Sequence, residues 1–296
     1  MRSVVRLAIV SFLGLALGAI VIAHNALHVP WHVIPQPDAA NALARHTPSR
    51  WSEVTVKARD GAILSAWLFT PPHPNGAGVI ALHGVADTRL GMLAHAEYLL
   101  RNGFTVLVPD CRGHGRSGGA ILSYGVLEAT DVHLWAARLF QDPSLRRLYG
   151  IGQSMGAAIL LESLRTEPRF RAVVADSSFA TFEEIAYERL EQIGHLPKPV
   201  FWPVVRLGFL YGDVRYGVDL RQASPVEAVR HTRVPILLIH GGADTNIPPH
   251  HSQELQAANP VAARLWIVPG AEHTQSISAD PQRYARTVVD WFHSHP

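Results

Sequence analysis

The sequence predicts a doubly wound α/β fold, with a mostly parallel sheet of about eight strands. Three observations carry this prediction. Short apolar runs with few polar interruptions recur along the chain, as expected for strands that are buried on both faces. Segments of helical length separate these runs, as in the units that join parallel strands. The first two runs instead flank Asp60-Gly61, a dipeptide typical of a tight antiparallel turn.

The predicted elements follow this plan along the chain. A hairpin comes first, in which residues 51–60 alternate in polarity and residues 63–69 return. Parallel strands are predicted at 79–82, 105–108, 148–152, 172–175, 236–239 and 265–268. Helices are predicted at 92–102, 124–140, 155–165, 250–258 and 281–293. Right-handed crossovers then bring the loops after the parallel strands to one edge of the sheet.

The most specific motif is the pentapeptide Gly-Gln-Ser-Met-Gly at 152–156, between a predicted strand and a predicted helix. Its glycines are needed because a side chain at either place would collide with the backbone around the strained turn that holds Ser154. A serine hydroxyl is a weak nucleophile unless a histidine base and a carboxylate accompany it. Asp244 and His273 supply both, in loops that follow two later strands.

Five segments in this order resemble the α/β-hydrolase superfamily, in its serine esterase, lipase and peptidase branch. The resemblance covers the chain from residue 54 to its end. The segments are His-Gly-Val at 83–85, Asp-Cys-Arg-Gly-His-Gly-Arg-Ser at 110–117, the pentapeptide, His-Gly-Gly-Ala-Asp at 240–244 and Gly-Ala-Glu-His at 270–273. The resemblance implies an α/β-hydrolase fold and the chain order of serine, acid and histidine.

It also implies the role of each catalytic residue. Ser154 attacks a carbonyl carbon, His273 accepts and returns the proton, and Asp244 orients the imidazole. The backbone N–H groups of Val85 and Met155 form the oxyanion hole. Asp176 follows another strand and is an alternative acid, or else a turn residue.

Further residues are predicted to surround the substrate. Residues 179–230 make a longer connection than a simple crossover needs, at a place where this superfamily inserts a cap over the active site. The middle of this segment is apolar, which fits an acyl pocket, a face towards a bilayer or an ordinary core face. The predicted substrate-binding residues are His83, which also shapes the oxyanion loop, Gly84, Gln153, Phe179, Trp202 and Phe209.

The N-terminal segment is predicted to lie in a membrane. Residues 7–23 carry no charge and follow Arg2 and Arg6, a pattern that fits a single spanning helix with the catalytic domain on the periplasmic or extracellular side. A signal peptide cleaved after Ala23, followed by secretion, is the alternative. The predicted domains are thus an anchor or signal peptide at 1–25, a proline-rich linker at 26–50 that includes Trp31 as an interfacial anchor, and a catalytic domain at 51–296.

Composition excludes several other classes. The formal net charge of +2 is too small to indicate a nucleic-acid partner. Cys111 is the single cysteine, so no intramolecular disulfide forms. His24, His28 and His32 have helical spacing, but Pro30 interrupts the helix that a shared metal would require. We expect no metal, no nucleotide and no other cofactor.

These observations predict a serine hydrolase that cleaves a carboxylic ester or thioester of a small-molecule, lipid or acylated substrate. A serine aminopeptidase is the alternative, for which Glu183, Glu184, Glu188 and Glu191 would recognise a free amino terminus. From another class, the chain would be a non-catalytic binding or scaffold protein on a hydrolase fold. The natural substrate, the acyl-chain length and the oligomeric state stay open.

Overall fold

A computed structural model describes residues 2–28, 33–195 and 198–296, and of residues 2–12 only the backbone. Its sheet has eight strands in the order β1-β2-β4-β3-β5-β6-β7-β8. The strands are β1 Arg50–Lys57, β2 Ile63–Thr70, β3 Ala77–Leu82, β4 Thr105–Pro109, β5 Arg147–Gln153, β6 Phe170–Asp176, β7 Ile236–Gly241 and β8 Ala263–Val268. Only the β1–β2 and β2–β4 pairs are antiparallel. The predicted fold class is confirmed.

Helices cover both faces of this sheet. In chain order they are α1 Arg2–Leu27, α2 Pro37–His46, α3 Leu93–Arg101, α4 Glu128–Leu139, α5 Met155–Ser163, α6 Phe182–Gly194, α7 Lys198–Tyr216, α8 Pro225–His231, α9 His250–Ala258, α10 Ser276–Ala279 and α11 Pro281–His293. Side chains of α4, α5, α8 and α9 pack on one face, and those of α2, α3 and α11 on the other.

The strands carry continuous apolar runs because both of their faces are buried. In β3, Ile80 and Leu82 point into the core under α4 and α5, whereas Val79 and Ala81 point into the core under α3 and α11. Tyr284 and Phe292, eight residues apart on the last helix, are both fully buried in that second core. The alternation of side chains along β3 and the buried face of α11 thus match the packing on the two faces of the sheet.

A third cluster of buried side chains is formed mainly by the segment that connects β6 to β7. Helices α6 and α7 form here and pack on each other, within the range 179–230 that was predicted as a cap. Phe179, Phe182, Val205 and Phe209 are buried in this cluster. Leu27, at the end of α1, belongs to the same cluster and is completely buried.

The prediction of a membrane-spanning N-terminal segment is wrong. Among the residues that the structure describes, no helix is long and apolar enough to cross a bilayer. Helix α1 packs against α7 instead, and its small residues Ala19 and Ala23 are buried in that contact. This finding also contradicts the prediction that a single spanning helix holds the catalytic domain outside the cytoplasm. The range 26–50, predicted as a linker, contains helix α2, while Trp31 and His32 lie outside the described residues.

Candidate active site

The turn between β5 and α5 holds Ser154 in an unusual backbone conformation. Its φ is +53° and its ψ is −119°, a combination that is costly for any residue with a Cβ. A Cβ at Gly152 would lie 2.4 Å from the carbonyl oxygen of Gly156, and a Cβ at Gly156 would lie 2.3 Å from that of Leu82. The flanking glycines are therefore required by contacts shorter than van der Waals distance, as the motif predicted.

The structure brings Ser154, His273 and Asp244 together. Nε2 of His273 is 2.9 Å from Oγ of Ser154, and Nδ1 of His273 is 2.7 Å from Oδ2 of Asp244. Because the carboxylate accepts the proton of Nδ1, the neutral ring presents the lone pair of Nε2 to the serine hydroxyl. Ser154 is 7% exposed, so the hydroxyl sits at the bottom of a depression and is open from one side.

Several hydrogen bonds fix the carboxylate of Asp244. Its Oδ1 accepts hydrogen bonds from the backbone N–H groups of Asn246 and Ile247, both at 2.9 Å. Burial by itself would raise the pKa of Asp244, but the hydrogen bonds from His240, His273 and the N–H of Ile247 outweigh burial and hold the pKa well below its usual range. The group is therefore charged wherever the protein is folded, and that charge favours an imidazolium at His273.

His240 is a supporting residue whose role the sequence did not reveal. Its Nδ1 is 2.6 Å from Oγ of Ser252, and its Nε2 lies 2.8 Å from the carbonyl oxygen of Ile247 and 3.4 Å from Oδ2 of Asp244. The carbonyl can only accept, so Nε2 carries the proton and Nδ1 accepts the hydroxyl of Ser252. The one available signal was the position of His240, four residues before the acid.

Asp176, the alternative acid, has different partners. It is completely buried, and its carboxylate accepts hydrogen bonds from Tyr284 Oη at 2.9 Å, Ser177 Oγ at 3.1 Å and Ser276 Oγ at 3.3 Å. Burial raises the pKa of Asp176. Its backbone oxygen accepts the N–H of Ser154 at 2.8 Å. Asp176 thus braces the nucleophile turn, while Asp244 is the acid that contacts His273.

The loop at 83–85 lies beside the nucleophile. Nε2 of His83 accepts the N–H of Cys111 at 2.9 Å, so the proton is on Nδ1, which donates to the carbonyl oxygen of Gly84 at 2.7 Å. Burial lowers the pKa of His83 to about 4, and the ring is neutral at pH 7. A Cβ at Gly84 would lie 3.3 Å from Cβ of Ser154. His83 therefore shapes this loop from behind, with its side chain completely buried.

The two predicted oxyanion donors border the open side of Ser154. Val85 and Met155 both line the cavity described below. Met155 is the first residue of α5, and N–H groups in the first turn of a helix have no acceptor within the helix. Such a group is free to bind developing negative charge, which the helix N-terminus also favours. The assignment of the two N–H groups to an oxyanion hole stays a prediction.

A cavity of about 340 Å³ opens above Ser154. The cap and α1 supply most of its lining, and the lining is dominated by apolar side chains. Phe179 and Phe209, two of the predicted substrate-binding residues, lie on its wall. Trp202 lies on a separate shallow groove with Tyr187 and Lys198 and does not reach this cavity. Gln153 also stays off the wall, since it is largely buried and directs its side-chain amide to the carbonyl oxygen of Thr274.

Polar contacts tie the cap to the loop of the catalytic acid. Arg189 on α6 donates to Oδ1 of Asn246 at 2.6 Å, and Gln192 donates to the carbonyl oxygen of Thr245 at 2.8 Å. Arg189 borders the cavity, but its guanidinium already serves Asn246 and Gln192. Within the described part of the chain, the cavity lining contains no aspartate or glutamate.

The four glutamates that were considered for recognition of an amino terminus all lie on α6, and two of them face α9. Glu184, His250 and His251 place their side-chain ligand atoms within 4.8 Å of one another, a spacing that would suit a metal ion. Both ring nitrogens of His251 are already used, because Nδ1 accepts the N–H of Ala180 at 3.2 Å and Nε2 donates to Glu188 at 3.0 Å. These contacts join the cap to α9.

Comparison with known proteins places this site in a family context. The model of the alpha/beta hydrolase family matches residues 79–287. The uncharacterized protein YqkD of Bacillus subtilis (strain 168) is 31% identical over 223 residues, which cover 74% of this chain and 72% of YqkD. The uncharacterized protein YfhR of Escherichia coli (strain K12) is 31% identical over 239 residues, 78% of this chain and 77% of YfhR.

Among solved structures, the Pyrococcus furiosus esterase Pf2001 superposes with a TM-score of 0.72 at 25% identity. The superposition covers 90% of this chain and 99% of the esterase.

Proposed function

Because the chain belongs to the alpha/beta hydrolase family and is a hydrolase, we propose that it is a serine hydrolase that cleaves carboxylic esters or thioesters through an acyl-enzyme. The observation that carries this proposal is the line of contacts from Asp244 through His273 to Ser154, with both hydrogen bonds shorter than 3 Å. The cavity above Ser154 supports a small-molecule substrate with an apolar acyl part.

In the proposed reaction, Oγ of Ser154 attacks the carbonyl carbon while Nε2 of His273 takes the hydroxyl proton. The carbonyl oxygen becomes an oxyanion and accepts hydrogen bonds from the N–H groups of Val85 and Met155. Asp244 stabilises the imidazolium without taking its proton. His273 then gives the proton to the departing alcohol or thiol, and an ester bond joins the acyl group to Ser154.

Deacylation repeats these steps with water as the nucleophile. His273 removes a proton from water, the resulting hydroxide attacks the acyl carbon, and Ser154 leaves as its proton returns from His273. The products are a carboxylic acid and the free enzyme. An ester is favoured over a peptide because the cavity, in the described part of the chain, presents no carboxylate that would bind a free amino terminus. The likeness to an esterase points the same way.

The test is covalent labelling of the folded protein with a fluorophosphonate, which reacts with activated serines. We expect labelling of the wild type and none of Ser154→Ala, and hydrolysis of p-nitrophenyl esters that depends on Ser154. Aminoacyl p-nitroanilides separate the peptidase alternative from the esterase. A folded wild type that neither labels nor turns over any of these substrates would contradict the proposal and favour the non-catalytic alternative.

A further inference from the structure

Helix α1 contributes directly to the cavity above Ser154. Ala19, Ile22, Ala23 and Ala26 line it, all from the last three turns of that helix. The segment whose composition resembled a membrane helix therefore faces the nucleophile across the pocket. In the described chain, the cavity lies between this helix, the cap and the nucleophile turn.

The contact between α1 and the cap is close. A Cβ at Gly208 of α7 would lie 3.3 Å from Cβ of Ala23 and 3.9 Å from the carbonyl oxygen of Ala19. Small residues on both helices allow the two backbones to approach, so that the apolar surfaces around them meet. Ala19 and Ala23 are consequently 1% and 8% exposed.

The end of α1 is also hydrogen bonded to the catalytic domain. The carbonyl oxygen of Leu27 accepts the N–H of Leu122 at 3.0 Å, and that of Ala26 accepts the hydroxyl of Tyr124 at 2.8 Å. The last carbonyls of a helix have no partner within the helix, and here the catalytic domain supplies two. His24 adds a contact to Tyr211 of α7, at 3.2 Å. Helix α1 is therefore fixed at both the cap and the domain below it.

We propose that residues 19–27 of α1 form one wall of an acyl-binding pocket and select esters or thioesters of apolar acyl groups by the length of the acyl chain. This inference rests on the proposed function, because it assigns the acyl part of the substrate to the pocket of that same site. Most of the lining side chains are aliphatic or aromatic, which favours hydrocarbon over polar groups. The one guanidinium on the wall, that of Arg189 in the described chain, donates through Nη1 to Asn246 and Gln192.

Ile22 and its neighbour Val21 provide a matched pair for the test. Their exposed fractions are similar, 46% and 51%, but only Ile22 lines the cavity. Replacing either residue leaves the buried contact of Ala19 and Ala23 with α7 in place. A difference between the two sets of variants therefore reports on the cavity and not on the docking or folding of α1.

The experiment compares p-nitrophenyl acetate with p-nitrophenyl octanoate as substrates of the full chain. Each buried methylene is worth roughly fourfold in binding. We expect Ile22→Trp to lower kcat/KM for the octanoate by about tenfold or more and for the acetate by less than about twofold, because the added ring occupies the space of the acyl chain. Ile22→Ala should shift the preference towards longer chains. Val21→Trp and Val21→Ala should keep the wild-type profile.

The proposal is overturned if Ile22→Trp lowers both substrates equally, or if the Val21 variants behave like the Ile22 variants. A wild type without turnover that depends on Ser154 contradicts the proposed function but leaves the pocket testable. In that case, calorimetric binding of methyl octanoate to the Ser154→Ala protein gives the answer. Weaker binding after Ile22→Trp, but not after Val21→Trp, supports the wall, and equal binding refutes it.

Discussion

The imidazole of His240 lies 3.4 Å from the carboxylate of Asp244, with the proton of Nε2 directed to the carbonyl oxygen of Ile247 and to that carboxylate. His240 is completely buried, so this interaction is not screened by solvent. It holds the loop at 244–247 in the shape in which the N–H groups of Asn246 and Ile247 reach Oδ1 of Asp244. His240 thus holds the carboxylate of Asp244 in position, while His273 donates a hydrogen bond to that carboxylate.

We therefore expect His240→Ala to lower kcat by about tenfold to a hundredfold, since a mispositioned acid weakens the base. The pKa of Asp244 should rise, because one of the hydrogen bonds that lower it is lost. We expect kcat to fall more than KM rises in a protein that still folds, because the acid is displaced while the cavity wall is unchanged. Ser252→Ala is the control, because it removes the contact at Nδ1 and leaves Nε2 in place. A folded His240→Ala protein with the wild-type kcat would show that the residue only supports the fold.

The three central residues should act as one unit. We expect Ser154→Ala, His273→Ala and Asp244→Asn each to lower kcat by a factor of about 10³ to 10⁶. The double variant Ser154→Ala with His273→Ala should be no slower than the slower single variant, because each change removes the same step. Steady-state kinetics on one p-nitrophenyl ester, with the melting temperature as a check on folding, measure both points. Multiplicative losses would mean that the two residues act in separate steps.

The backbone strain at Ser154 predicts a reversal of the usual ranking of glycine and alanine. In the interior of a helix, a glycine variant is less stable than the alanine variant by about 1 kcal/mol. At Ser154, with φ of +53°, we expect Ser154→Gly to be more stable than Ser154→Ala by roughly 1 kcal/mol, since glycine adopts this conformation without a Cβ clash. Urea unfolding of the two inactive variants gives the comparison.

Ala158 in α5 is a control for this strain. It is fully buried within the same helix, where its φ is not among the positive values. Ala158→Gly should lower the free energy of unfolding in the ordinary way. If Ser154→Ala proves as stable as Ser154→Gly, the strain is absent in solution.

His95 predicts how stability depends on pH. It is 1% exposed, and neither ring nitrogen has a hydrogen-bond partner among the described residues. Burial lowers its pKa to about 4, against an ordinary value of 6.5 for a solvated histidine. Between these two values the unfolded chain binds the proton and the folded chain does not, so stability falls as the pH drops from 6.5 towards 4. The loss amounts to about 3 kcal/mol at full effect.

Replacing His95 by phenylalanine should raise the free energy of unfolding at pH 7 by about 1 kcal/mol, because two unpaired polar atoms leave the core. It should also flatten the fall between pH 6.5 and pH 4. Tyr98→Phe is the matched control, since the hydroxyl of Tyr98 is likewise buried without a partner among the described residues but does not titrate in this range. A His95→Phe curve as steep as that of Tyr98→Phe would contradict the assignment.

Much of the site was predictable because its constraints are local. The need for glycine at 152 follows from a clash with Gly156 inside the same pentapeptide, although that at 156 comes from the distant backbone of Leu82. The alternation of Ile80 and Leu82 with Val79 and Ala81 follows from strand geometry. Which of Asp176 and Asp244 serves as the acid beside His273 depends on contacts between residues far apart in the chain. Both follow a parallel strand, and only the hydrogen bond to His273 distinguishes them.

The predicted cap residues show the same division. Phe179 and Phe209 reach the cavity and Trp202 does not, although all three are large apolar residues in one apolar segment. The direction of a side chain on a cap helix depends on how that helix rotates against its neighbours, which a single sequence does not display.

By itself the sequence determined the order of the eight strands along the chain, the strained turn at Ser154 and the presence of an acid and a histidine in later loops. The tertiary structure decided which acid meets His273 and what covers the apolar residues of α1. An apolar run indicates that its side chains are removed from water. The free energy of that transfer is nearly the same whether lipid or protein covers them. The fit of Ala19 and Ala23 to Gly208 shows that, for these two residues of α1, the covering surface is the cap of the same chain.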